Sequence, residues 1–84
     1  MRNSHSVVVN MVTAVVLMHV EVGKAEQVYE KVKEIDEVEI VHLVTGPYDV
    51  IAYVELPEKS DYRRVVFAIH EIPGIKSTET CVSI

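Results

Sequence analysis

The sequence predicts an α+β domain in which one four-stranded antiparallel sheet carries two helices on one face. Stretches of strand-like and helix-like apolar spacing follow one another in the order β-α-β-β-α-β. Glycine and proline residues stand at the boundaries between these stretches. The length of 84 residues, 49% of them hydrophobic, allows a single small domain. This order of elements is the ferredoxin-like arrangement.

The first strand is predicted over residues 12–22, which are rich in β-branched side chains. Both of its alternating sets are mostly apolar, which is typical of a central strand covered on both faces. Gly23 ends it. Residues 24–36 then change to helical spacing and predict the first helix.

The middle of the chain predicts a β-hairpin. Residues 38–44 and 49–55 have strand composition, and the turn residues Thr45-Gly46-Pro47-Tyr48 lie between them. Leu56-Pro57 is expected to break the second strand of this hairpin.

The last third of the chain predicts a second helix and a final strand. Ser60 or Asp61 is expected to cap the helix, because its side-chain oxygen can accept from the first unpaired amides. Pro73-Gly74 ends the helical stretch, and residues 75–84 alternate as a strand. The apolar stripe of the helix consists of Tyr62, Val65, Val66 and Ile69.

The predicted sheet keeps one face uncovered, because both helices lie on the other. That face carries apolar residues of the first strand and of the hairpin, too many to leave in water. Small chains gain stability from disulfides, metals or oligomerisation. Cys81 is the only cysteine, so no intrachain disulfide can form. It is expected to be buried or half-buried in the last strand. The sequence therefore predicts dimerisation through the uncovered sheet face.

Charge and hydropathy exclude several classes of protein. The net charge is −5, and Arg63-Arg64 is the only adjacent basic pair, so direct binding to nucleic acid or to an anionic membrane is not expected. The apolar run at 7–20 is too short and too polar to span a bilayer, and no cleavage site follows it. We expect a cytoplasmic domain at residues 12–84 that follows an N-terminal tail at residues 1–11. The histidines show neither HxH nor HExxH spacing, so no metal or cofactor is predicted.

Two segments resemble a known family. Residues 44–50 read V-T-G-P-Y-D-V and residues 72–80 read I-P-G-I-K-S-T-E-T. In this order they resemble the V-T-G-x-Y-D loop and the I-P-G-V-x-x-T-x-T ending of the effector-binding domain of Lrp/AsnC regulators. This domain is also called the RAM domain, for regulation of amino-acid metabolism. The resemblance extends over residues 12–84.

The resemblance implies a function in the regulation of transcription or of amino-acid metabolism, through assembly with partners, rather than in catalysis. Members of this family dimerise through their sheets and often assemble four dimers into an octameric ring, in which amino-acid ligands are held between dimers. Full-length regulators also carry an N-terminal helix-turn-helix domain, for which 84 residues leave no room. The implied partners are therefore a small-molecule effector, a second copy of the chain, and full-length Lrp/AsnC regulators.

The resemblance places Thr45, Gly46, Pro47 and Tyr48 at the ligand, with the main chain of the loop facing it. Gly46 suits this role because glycine adopts positive φ and lets a ligand approach closely. The same residues also suit an ordinary hairpin turn.

Three further residues are candidates for the ligand site. Asp49 opens a strand, where aspartate is disfavoured, so its carboxylate either pairs with a ligand ammonium group or accepts from the amides of the turn. Thr78 and Thr80 share one strand face about 7 Å apart. Their hydroxyls suit the carboxylate or polar tail of an amino acid, although threonine is also common in strands.

Two alternatives to a ligand-binding regulator stay open on the sequence alone. A small dimeric α/β-barrel enzyme of the monooxygenase or isomerase type would use His42, Tyr48 and Asp49 as acid–base groups. It would need a solvent-filled cavity between helix and sheet. A ligand-free assembly module would instead bury Thr78 and Thr80 against other protein.

Overall fold

A computed structural model describes residues 12–84 and shows the predicted order of elements. They are β1 (Val12–Val20), α1 (Ala25–Lys33), β2 (Val38–Leu43), β3 (Val50–Leu56), α2 (Tyr62–His70) and β4 (Ile75–Val82). The strands form one antiparallel sheet in the order β2-β3-β1-β4. The ferredoxin-like α+β fold is confirmed, while the predicted tail at 1–11 lies outside the described residues.

The hydrophobic core lies between the two helices and one face of the sheet, called here the helix-side face. Alternate residues of β1 and β3 point into it, because the side chains of a strand have a period of two. The helices add residues at a spacing of four. The buried side chains are Ala14, Val16, Met18, Val20, Val28, Val32, Val50, Ala52, Val54, Leu56, Val65 and Ile69.

The opposite face of the sheet, called here the open face, has an apolar centre. Val15 lies beside Tyr53, and Leu17 lies beside Ile51, in the β1–β3 register. Tyr53 is 39% exposed and Ile40 of β2 is 51% exposed. No helix packs on this face within residues 12–84, which agrees with the predicted uncovered surface. No helix in the described part of the chain is long and apolar enough to cross a membrane.

Both elements at the start of the domain are shorter than predicted. β1 ends at Val20 because the next residues form a turn, in which Val22 is 100% exposed. The Glu21 amide donates to the Gly74 carbonyl at 2.8 Å, which ties this turn to the start of β4. Helix α1 ends at Lys33 because the following amides bond three residues back, as in a tightened final turn.

The predicted side-chain cap of the second helix is wrong. Neither Ser60 nor Asp61 caps α2, because the chain enters it through a 3₁₀ turn at Lys59–Asp61. The Asp61 amide donates to the Glu58 carbonyl at 3.0 Å, and Asp61 Oδ2 accepts from the Glu58 amide at 3.3 Å. Asp61 therefore bonds backward, as the acidic residue of a capping box does.

Leu56 belongs to β3, although Leu56-Pro57 was expected to break that strand before it. Its side chain is 0% exposed and contributes to the core.

We expect Leu56→Ala to lower the free energy of unfolding by about 2–5 kcal/mol, because it removes buried apolar atoms and leaves a cavity. Urea denaturation followed by circular dichroism measures this change. Val22→Ala, at a fully exposed position, is the control and should change stability by less than about 0.5 kcal/mol.

An ion pair joins α2 to the turn after α1. Arg64 Nη1 donates to a carboxylate oxygen of Glu37. This hydrogen bond lowers the pKa of Glu37 below its ordinary value. A lowered pKa stabilises the fold above the pKa that Glu37 has in the unfolded chain. The contribution is lost as the pH falls through the folded value.

Replacing Arg64 should therefore make stability less sensitive to acid. We expect Arg64→Gln to lose less of its free energy of unfolding than the wild type between pH 6 and pH 2, each value measured by urea denaturation. Arg63→Gln is the matched control, because Arg63 is exposed and forms no ion pair among residues 12–84. Equal acid sensitivity of all three proteins would contradict a role for the pair.

Candidate ligand-binding site

Residues 44–49 form the loop between β2 and β3, called here the 44–49 loop. The Val44 amide donates to the Asp49 carbonyl at 2.9 Å and closes it. Gly46 has φ +128°, a conformation that side-chain-bearing L-residues rarely adopt. A Cβ atom there would meet nothing within 4 Å. Glycine is thus required by the backbone conformation. Thr45, Gly46 and Pro47 are all exposed.

Asp49 anchors the end of this loop to the central strand. Its amide donates to the Met18 carbonyl at 2.9 Å, and its Oδ2 accepts from the Val20 amide at 2.8 Å in a part-buried position. The β1–β3 pairing ends at Met18 and Val50, so the carboxylate bonds a β1 amide beyond the last paired residue. The oxygen that this bond uses is directed to a neighbouring strand rather than to the amides of the turn.

Tyr48 extends from the loop across the open face. Its hydroxyl donates to Glu79 Oε1 on β4 at 2.5 Å. Its ring centroid lies 4.7 Å from that of His19 on β1, with the ring planes inclined by 39°. The hydrogen bond to Glu79 raises the pKa of Tyr48 above its ordinary value. Tyr48, His19 and Glu79, called here the Tyr48 cluster, thus join a loop and two strands.

Sequence reasoning missed His19 and Glu79 as neighbours of the loop. Glu79 lies in the predicted last strand between Thr78 and Thr80 and carries no motif of its own. Only the pairing of β4 with β1, which sets Glu79 opposite Leu17, brings it within reach of Tyr48. The alternation of β4 correctly separates it from the two threonines.

Thr78 and Thr80 lie on the helix-side face, opposite Met18 and Val16 of β1. Thr78 Oγ1 is 2.7 Å from His70 Nε2 on α2, and both threonines are half-buried. The Tyr48 cluster lies on the open face, so within one chain the sheet separates the two threonines from Tyr48. The candidate residues therefore form two groups rather than one pocket.

A narrow crevice lies between the sheet and α2. It leaves essentially no space that a water molecule could occupy. Ligand pockets usually occupy about 300–1,000 Å³, so this crevice has no room for a substrate. The barrel-enzyme alternative needed a solvent-filled cavity here, and this crevice gives it little support. The lining residues are Ala14, Val16, Val54, Leu56, Tyr62, Val65, Val66 and Thr80.

The suspected acid–base groups are also dispersed. His42 contacts Tyr53 edge-on, with 6.1 Å between ring centroids, whereas Tyr48 contacts His19. Within residues 12–84 no three histidine, cysteine or acidic side chains are placed to hold a metal ion. Cys81 was expected to be buried or half-buried, which is wrong. It is exposed, because it points to the open face from the edge strand β4.

The fold and the loop define a ferredoxin-like α+β domain with one uncovered sheet face and an exposed glycine-containing hairpin loop. The family model of the Lrp/AsnC ligand binding domain matches residues 13–84. The chain belongs to this family, as the sequence resemblance implied.

Similar proteins include regulators and short domains. The uncharacterized HTH-type transcriptional regulator PF1231 of Pyrococcus furiosus is 32% identical over 72 residues, which are 84% of this chain and 49% of the regulator. The chain thus spans about half the length of the curated relatives it matches. The crystal structure of TTHA0845 from Thermus thermophilus shares 32% identity and a TM-score of 0.84, over 87% of this chain and 92% of that one. The hypothetical protein PHS023 from Pyrococcus horikoshii shares 35% identity and a TM-score of 0.81, over 87% and 89% of the two chains.

The Asp49 hydrogen bond generates a stability prediction. We expect Asp49→Ala to lower the free energy of unfolding by about 1–3 kcal/mol, because the part-buried Val20 amide loses its acceptor. Asp49→Asn keeps an oxygen at this position and should cost clearly less. Urea denaturation of both variants tests the difference. Equal loss in the two would show that charge, and not hydrogen bonding to β1, accounts for the stabilisation.

Proposed function

We propose that this chain is a regulatory module that binds an amino acid or a related small molecule at an interface between its own copies. The observation that carries the proposal is membership of the Lrp/AsnC ligand binding domain family over residues 13–84. The curated relatives are named as HTH-type transcriptional regulators, which supports a part in controlling transcription rather than in catalysis. A role in controlling transcription requires a protein that is located in the cytoplasm.

The geometry of the 44–49 loop supports ligand binding there. Hydrogen bonds of 2.9 Å close the loop and anchor Asp49 to β1, which reduces the conformational freedom that ligand binding has to remove. Thr45, Gly46 and Pro47 are exposed, and Gly46 has no side chain to keep a ligand from its main chain. Asp49 offers a carboxylate for the ammonium group, which makes a charge-assisted hydrogen bond.

The open face supports self-association. Its apolar centre would face a second sheet about 10 Å away in a face-to-face dimer. Thr78 and Thr80 lie on the other side of the sheet from Tyr48, so we assign them to a ligand shared between copies, in which one copy supplies the loop and another the threonines. Four such dimers in a ring, or mixed assembly with full-length Lrp/AsnC regulators, are the larger assemblies we propose.

The experiment that tests ligand binding is a thermal-denaturation screen against each of the twenty amino acids at 10 mM. An amino acid present at about 100 times its Kd should stabilise the folded protein by about 2.7 kcal/mol. We expect one amino acid, or a chemically related few, to raise the Tm selectively.

Asp49→Asn is the variant that isolates the ligand contact, because it retains an oxygen acceptor for the Val20 amide. We expect this variant to fold and to lose the Tm shift. Glu30→Gln on α1, an exposed position away from the loop, is the matched loss of one carboxylate and should keep the shift. No shift with any amino acid in the folded wild type would favour the ligand-free assembly module.

A further inference from the structure

The candidate ligand loop and the open face meet at one side chain. Tyr48 belongs to the 44–49 loop, yet its ring lies beside His19 on the open face. Its hydroxyl crosses the end of β1 to bond Glu79 on β4, and β1 separates β3 from β4 in the sheet. The loop is therefore fastened to the surface on which a second copy is proposed to pack.

Glu79 is the unusual member of the Tyr48 cluster. Its neighbours in the register on this face are Leu17 on β1 and, beyond it, Ile51 on β3, both apolar. A carboxylate beside such a surface loses hydration when another sheet covers it, and this loss is costly unless the carboxylate keeps a hydrogen bond. Tyr48 supplies that hydrogen bond from within the same chain.

We propose that Glu79 is a positioning residue that holds Tyr48, and through it the 44–49 loop, against the open face. The inference rests on the proposed function in one respect, namely that a second copy covers this face. Covering the face strengthens the Tyr48–Glu79 bond by removing competing water, and the stronger bond orders the loop. Order in the loop and association of the open faces thus depend on each other.

This dependence is reciprocal. If association orders the loop, any small molecule that requires the ordered loop strengthens association by the same factor. A second copy can therefore report on the occupancy of the loop without touching the bound molecule. No movement of the sheet is required, because the coupling acts through one side chain and its partner.

The test needs no small molecule. Sedimentation equilibrium gives the dissociation constant for self-association, and amide hydrogen exchange read by mass spectrometry gives the protection of residues 44–49. In the wild type we expect protection of this loop to rise as the protein concentration passes through the dissociation constant. In Tyr48→Phe we expect association about tenfold weaker, because Glu79 is covered without its donor. Loop protection should then no longer depend on concentration.

A double variant separates this explanation from a general loss of packing. In Tyr48→Phe/Glu79→Leu neither group needs a polar partner, so association should return to within about threefold of the wild type. Loop protection should stay low and independent of concentration in this protein. Tyr29→Phe on α1 removes a tyrosine hydroxyl away from the open face and is the matched control. Glu79→Gln retains an oxygen acceptor, so its dissociation constant for self-association should lie between those of the wild type and Tyr48→Phe.

The outcomes distinguish failure of this inference from failure of the proposed function. A wild type that associates, with loop protection independent of concentration and unchanged by Tyr48→Phe, would overturn the role of Glu79 and leave the dimer intact. A wild type that stays monomeric at all concentrations would overturn both the covered face and the coupling. The amino-acid screen would still decide whether the loop binds a ligand.

Discussion

Strand β1 is apolar on both faces and occupies the centre of the sheet, and the rest of the structure depends on that constraint. Its helix-side residues Val16 and Met18 are buried by the chain's own helices. Val15 and Leu17, on the open face, are only half-buried. Both faces of such a strand need to be packed against other protein, and residues 12–84 pack against one of them. Chain association is the physical solution that the composition of β1 favours, and it places the hairpin loop at the border of the association surface.

The second consequence of the central position of β1 is the way it fixes the loop. The loop connects β2 to β3, but its hydrogen-bonding partners on β1 are Met18 and Val20. Asp49 thereby joins the 44–49 loop, the candidate ligand-binding segment, to a central strand of the sheet. A loop anchored to a rigid strand at one end has less conformational freedom to lose on binding than a loop without that anchor.

Most of the fold follows from the periodicity of the sequence. The change from strand spacing to helical spacing after Gly23 predicts α1, and the strand composition of residues 49–55 predicts β3. The ends of elements were less accurate, because hydrogen bonds from other segments determine them. Asp61, for example, bonds backward to Glu58, and no propensity distinguishes that arrangement from an ordinary cap.

The candidate site was predictable only in part, for a related reason. The glycine in the turn and the acidic residue at the start of the next strand are local signals, so Gly46 and Asp49 could be selected from the sequence. The bonds of Asp49 to Val20 and of Tyr48 to Glu79 join residues 29 and 31 positions apart. Such contacts depend on the spatial order of the strands, which differs from their order along the chain. The same limitation hid the division of the candidate residues between the two faces.

The conformation of Gly46 has a stereochemical consequence. Its φ of +128° is the mirror image of an angle that L-residues adopt freely in strands, and the space where a side chain would begin is empty. The position therefore discriminates by handedness rather than by size. A residue of D configuration adopts this φ without strain, whereas any of the other nineteen encoded amino acids is strained there. A chain of 84 residues made by chemical ligation could carry D-alanine there and keep the loop in its native shape.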